Sequence, residues 1–168
     1  MTRHKQWIAV TLLIASAVFA LRLSLVQPAL PTVSDQLWAV YFGSGTDSYL
    51  VPELRFGMPT INSRLQALVT GPRLKGLKPV FPPGTRVISY QIEGNLILVN
   101  FNKALMENHP GGSASELVTV YGLVNTLTED PSLDYVQILI EGRRVDTIAG
   151  HVDVSLPLRR DESSIGAR

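Results

Sequence analysis

Apolar residues recur in two rhythms along this chain, and the switch between the rhythms marks out its elements. Residues 37–42 (LWAVYF) run together as aromatic and β-branched side chains. Residues 49–56 (YLVPELRF) return after the turn Gly43-Ser44-Gly45-Thr46-Asp47, so the pair predicts a β-hairpin whose second strand Pro52 confines to an edge. Ile61, Leu65, Leu68 and Val69 then fall at helical spacing. They predict an amphipathic helix opened by Pro59-Thr60, with Asn62, Ser63, Arg64 and Gln66 on its polar face, and closed by Gly71-Pro72. Residues 85–92 (TRVISYQI) alternate, Glu93-Gly94-Asn95 turns the chain, and residues 96–101 (LILVNF) are nearly all apolar, which predicts a second hairpin. Residues 102–112 read as a loop. In residues 113–128 the helical rhythm resumes, with Leu117, Tyr121, Val124 and Leu127 on one face. Ser113 and Glu116 match a capping box, and Gly122 marks a close approach by another backbone. Glu129-Asp130-Pro131 stops that helix and residues 135–140 (YVQILI) form a buried strand. A short last strand is expected at residues 145–148, and residues 156–168 are expected to fray as a polar tail.

The order is hairpin, α, β, β, α, β. It predicts an α+β fold: a two-layer sandwich in which one small mixed or antiparallel sheet carries both helices on one face. The stretch 110–143, helix then strand, is its packing framework.

The N-terminus differs from all this. Arg3, His4 and Lys5 precede an apolar run from Trp7 to Val26 that only Arg22 interrupts. Up to Leu21 the run is short for a span of roughly 20 residues and fits a signal peptide cleaved after Ala20. Taken through to Val26, with Arg22 reaching the interface, it fits an uncleaved anchor, the reading preferred here. Either way the positive flank stays inside and residues 28–168 lie outside the cytoplasm, single-pass or secreted. The chain therefore divides into residues 1–27 (anchor or signal peptide), 28–36 (a linker stiffened by Pro28 and Pro31), 37–157 (the domain) and 158–168 (the tail).

Charge and composition then narrow the function. Three of the 15 Lys and Arg flank or interrupt the apolar run, leaving 12 against 14 Asp and Glu beyond it, a net −2. Without a concentrated basic footprint, nucleic acid is not an expected partner. The chain has no cysteine, which removes disulfides, thiol catalysis and a lipidated cysteine. His109 and His151 have no second histidine at ligand spacing, and His151 with Asp153 falls short of a zinc set. Gly43-Ser44-Gly45 is a turn and no nucleophile elbow; Gly111-Gly112 lacks the rest of a phosphate loop. Arg73, Lys75 and Lys78 make the one locally basic loop. Glu129-Asp130, Glu93 and Glu141 read as solvated turn residues, with a glycosidase-type pair as the alternative use. No catalytic, cofactor-binding or metal residue is assigned, and no cofactor is expected.

One resemblance adds to this. The series Leu65-x-x-Leu68-x-x-Gly71-Pro72, Gly76-Leu77 and Pro82-Pro83-Gly84-Thr85 is similar to the GerMN domain, the sporulation and spore germination family named after germination protein M. So are residues 95–101, Ser115-Glu116-Leu117, Asn125-Thr126-Leu127-Thr128 and Val136-Gln137-Ile138-Leu139-Ile140-Glu141-Gly142. The resemblance spans residues 40–157. It implies a membrane-tethered extracytoplasmic scaffold, in a family linked to the envelope complex between mother cell and forespore and to spore germination. The α-β-β-α-β order is also that of ring-building motifs. It implies no catalytic residues. Germination protein M resembles a lipoprotein with two such domains, whereas this chain has one and no cysteine. The partners expected are the membrane, through Trp7 to Val26, and envelope proteins or further copies of the chain, through faces that include Thr119, Asn125 and Gln137. Alternatives are a peptidoglycan-binding module and a wall-modifying hydrolase.

Overall fold

The computed structural model describes residues 34–45 and 49–166. The run from Trp7 to Val26, read above as anchor or signal peptide, lies outside the described residues. Among those described, no helix is long and apolar enough to cross a membrane.

Strands β1 (Gln36–Gly43) and β2 (Leu50–Gly57) pair antiparallel, with Leu37 opposite Phe56 and Tyr41 opposite Pro52. They form a two-stranded sheet of their own, separate from a three-stranded sheet ordered β3-β4-β5. The single sheet expected from the sequence is thus corrected to two small ones. The reason lies at the other edge of β1. Its Tyr41 N–H donates to Thr126 Oγ1 at 3.0 Å, and Gly43 exchanges backbone hydrogen bonds with Lys78. A helix side chain and a loop therefore satisfy groups that a third strand would have used.

Helix α1 (Ile61–Thr70) starts where the Thr60 hydroxyl accepts from the Ser63 N–H at 3.1 Å. It ends at Gly71, whose φ of 89° few other residues tolerate. Arg64, expected on the polar face, is buried. It lies three residues from Ile61 and four from Leu68, on the edge of the apolar stripe. Its guanidinium covers the Trp38 ring at 5.4 Å and donates to the Thr126 carbonyl at 3.2 Å.

Strand β3 (Val87–Glu93) runs antiparallel to β4 (Leu96–Phe101), with a register irregularity between Val87 and Ser89. The expected loop after β4 contains one helical turn, α2 (Ala104–Glu107), which buries Leu105. Strand β5 (Tyr135–Ile140) lies parallel to β4, and a parallel pair needs a crossover. Helix α3 (Ser113–Leu127) supplies it, contacting β1, α1 and β5. The core is Val40, Phe42, Leu68, Ile97, Val99, Phe101, Val120, Leu123, Val124 and Val136.

Three further expectations are corrected. The capping box does not form: Gly112 caps α3 without a side-chain bond, and Glu116 turns into the interior. Residues 145–148 form no strand. The C-terminal segment does not fray up to Gly166: Leu158 bridges to Val136, Ile165 to Leu50, and Glu162–Ser164 forms a 3-10 turn. Apolar side chains at Leu158 and Ile165 anchor what composition alone marks as a polar tail.

Candidate functional site

The faces expected to meet a partner are inside the molecule. Thr119, Asn125 and Gln137 are all buried, so the expectation of a partner surface there is overturned. They satisfy buried backbone instead. Thr119 Oγ1 donates to the Val80 carbonyl at 2.6 Å. Asn125 donates to the Asp161 carbonyl at 2.9 Å and accepts from the Asp161 N–H at 3.0 Å. Gln137 donates to the Val154 carbonyl at 2.9 Å. Loops and the C-terminal segment surround α3 and β5 more fully than an open two-layer sandwich would.

The candidate acids are not brought together. Glu93 closes β3 at the Leu96 end of β4, while the Glu141 N–H bonds the Phe101 carbonyl at the far end. Five residue steps at about 3.3 Å put the two roughly 17 Å apart. A glycosidase-type pair works at about 5–9.5 Å. Glu129 is taken up by the Tyr41 hydroxyl at 2.7 Å and Arg160 at 3.0 Å. Asp153 caps Ser155 through both its N–H and hydroxyl. Among the described residues, no group of three His, Asp or Glu is placed to hold a metal ion.

His109 is fixed as a neutral ring. Its Nδ1 accepts from the Gly111 N–H at 3.0 Å. Thr119 Oγ1 already donates to Val80, so it accepts from His109 Nε2–H at 3.1 Å. Burial lowers the ring's pKa against the attraction of Glu116. A ring with both nitrogens committed ties the loop leading into α3 to that helix, and has no nitrogen left over for a substrate.

Beside this loop lies a groove of about 580 Å³. Pro79, Val80, Pro82, Pro83 and Pro110 form its walls, and the first turns of α3, through Ala114, Ser115 and Val118, form its floor. Lys78 brings the cationic end of the basic loop to its rim; Arg73, at the other end of that loop, lines a different recess beside Phe56. The basic loop is therefore not one anion site. Prolines fix the backbone shape of the walls, and the carbonyls of Val80, Pro82 and Pro83 are tied down by Thr119, Thr85 and Asn108. The groove suits an extended or helical segment of another molecule with apolar side chains.

Two buried carboxylates escaped the sequence reading. Glu116 accepts from the N–H groups of Ile148 and Ala149 at Oε1 (2.8 and 2.7 Å) and of His151 at Oε2 (2.8 Å). Burial alone would raise its pKa, but the surrounding N–H groups outweigh burial and hold it below the usual range. Glu53 behaves alike: burial raises it, while the N–H groups of Leu74 and Arg73 (2.8 and 2.7 Å) and Arg55 bring it below normal. For Glu53 a signal existed. In β2 the charged Glu53 and Arg55 face in while Leu54 and Phe56 face out, inverting the usual alternation.

These geometries accompany a clear set of likenesses. The family model described as Germane, sporulation and spore germination, matches residues 39–146. A search of curated proteins found no match. Among solved structures, a presumed lipoprotein of Clostridium perfringens superposes with a TM-score of 0.55 at 28% identity, over 79% of this chain and 93% of that one. The tandem GerMN domains of the sporulation protein GerM from Bacillus subtilis give 0.63 at 18% identity, over 84% of this chain. The match covers 51% of that tandem, so this chain spans about half of it. The first GerMN domain of GerM alone gives 0.59 at 18% identity, over 76% of this chain and 98% of that domain. At 18% identity the likeness carries the fold.

Proposed function

This chain belongs to the Germane family of sporulation and spore germination, and from that premise we propose that it is a membrane-tethered extracytoplasmic assembly module that works by protein–protein contact. The observation that carries the proposal is the proline-walled groove. It is preformed, mostly apolar and open at the surface. Of the polar side chains that line it, Thr119 donates to the Val80 carbonyl and Asn108 to the Pro83 carbonyl, so both are spent on holding its backbone. A groove built this way offers shape and apolar area and no acid–base pair, which favours binding over turnover.

Tethering outside the cytoplasm draws on two supports. One is the basic flank and apolar run from Trp7 to Val26. The other is the description of the Clostridium perfringens neighbour as a presumed lipoprotein. The α-β-β-α-β order shared with ring-building motifs makes other copies of the chain, along with envelope proteins, the expected partners.

Chemical crosslinking of the full chain in intact cells tests this reading. A discrete protein adduct above the monomer is expected. A strict monomer, or a chain that sediments with purified cell-wall sacculi and forms no protein adduct, would overturn it, the latter in favour of a wall-binding module.

A further inference from the structure

The inverted alternation of β2 leaves an apolar face outside the fold. Leu37 lies opposite Phe56 and Ala39 opposite Leu54, so these side chains project to one side of the β1-β2 sheet. Leu37 is 66% exposed, Leu54 56%, Phe56 71% and, just past the strand, Met58 52%. The charged Glu53 and Arg55 occupy the inner positions, locked by a 2.8 Å ion pair and by the backbone of residues 71, 73 and 74. Exposure of Leu37, Leu54 and Phe56 is therefore built into the register, and Met58 follows just past it. A one-residue slip would expose that ion pair and break its bonds.

We propose that this face rests on the lipid surface, seating the domain against the bilayer to which its N-terminus is tethered. The inference rests on the tethering proposed above. Three observations select lipid as the occupant. The patch starts at Leu37, the second residue of the first strand. At about 3.3–3.6 Å per residue, the chain between Val26 and Leu37 reaches no more than about 40 Å. That bound leaves the start of the patch within reach of a membrane that holds the run from Trp7 to Val26. One edge carries a cation, Arg73, which lines a recess with Phe56 and Met58 and is followed two residues on by exposed Lys75, against one exposed acid, Asp35, two residues before Leu37. Leu, Phe and Met flanked by Arg and Lys are the composition of an interfacial contact with anionic lipid. Four side chains are also few for a stable dimer, whose standard interface uses about 20–30 residues a side.

The absence of cysteine makes the test direct. The full chain carrying Phe56→Cys with a single nitroxide label is reconstituted into phosphatidylglycerol-containing vesicles. Flotation reads the tether. Power-saturation accessibility to oxygen, which partitions into lipid, against a water-soluble nickel chelate reads the face. Leu54→Cys repeats the measurement on the same face, and Glu93→Cys, exposed at the end of β3, is the aqueous control. The expected result is a floating chain in which positions 54 and 56 favour oxygen and position 93 favours nickel. A floating chain whose positions 54 and 56 behave like 93 overturns the lipid contact and leaves the tether standing. A chain that does not float overturns the tether and the contact with it. Labels shielded from both reagents, with dipolar broadening between copies, assign the face to a second copy of the chain and overturn the lipid assignment.

Discussion

Glu116→Gln is the sharpest probe of how the fold is held. The carboxylate accepts three backbone N–H groups at 2.7–2.8 Å from the loop that follows β5. A glutamine keeps one acceptor oxygen, enough for Ile148 and Ala149, and turns an amide donor toward the His151 N–H. One charge-assisted bond, about 1.5–3 kcal/mol, is lost and a buried donor is left facing another donor, about 1–3 kcal/mol more. Together they predict a destabilisation of about 2.5–6 kcal/mol. The assay is denaturant unfolding of residues 34–168, a compact unit of their own, between pH 7 and pH 3. The sign of the pH effect is fixed by the lowered pKa. A carboxylate depressed in the folded state stabilises above its unfolded value of about 4.3, and that stability is lost as pH falls through the lower folded value. The parent should therefore lose stability on acidification below about pH 4.3, and the variant should lose less over the same window. A variant within about 0.5 kcal/mol of the parent at neutral pH, or one with an unchanged acid slope, would refute the buried-carboxylate account.

Other expectations follow from neighbouring contacts. At Gly122 a Cβ would sit 2.6 Å from Val80 Cγ1. Gly122→Ala should therefore destabilise by about 1–2 kcal/mol despite better helix propensity, and Val80→Ala in the same chain should recover part of that loss in a double-mutant cycle. Arg64 is buried with no carboxylate at ion-pair distance among the described residues, and its Nε has no partner. Arg64→Met should be neutral or stabilising by about 0–2 kcal/mol, read as the unfolding midpoint. Arg160 joins the Tyr41 hydroxyl (2.7 Å), the Asn125 carbonyl (2.9 Å), Glu129 and Glu162. Arg160→Met should release the C-terminal segment by about 2 kcal/mol, seen as roughly 30-fold faster amide exchange at Asp161 and Gly166 with the core unchanged.

The sequence was most legible where local rhythm and burial agree. Strands β3, β4 and β5 and both long helices lie close to where alternation and helical spacing place them. Strands β4 and β5 and helix α1 do so because each buries apolar side chains, whereas β3 is placed by its pairing with β4 and leaves Ile88, Tyr90 and Ile92 exposed, and α3 leaves Leu117 of its expected face exposed. It was least legible where a charged residue is held by backbone. Glu116 fits a capping box as a local pattern, yet the N–H groups that take it are 32 to 35 residues away. Arg64 counted as polar by type although its helical position places it among apolar neighbours. Thr119, Asn125 and Gln137 looked like surface because they interrupt apolar runs, when each answers a buried backbone group brought by a distant loop. The separation of the two sheets rests on Thr126 bonding Tyr41 across 85 residues, which no local pattern announces. The groove was half visible: the Pro-rich stretch before β3 stood out, but the face of α3 that completes it did not.

The central claim is that the proline-walled groove is a protein-binding surface of a membrane-tethered module. It is tested most directly by a photocrosslinking amino acid at Val118 on the groove floor, in the full chain, in intact cells, with Glu93 as the control position. The account predicts a discrete protein adduct from position 118 that position 93 does not give and that Ala114→Glu abolishes without lowering the amount of folded chain. Equal adducts from both positions, or an adduct indifferent to Ala114→Glu, would contradict it.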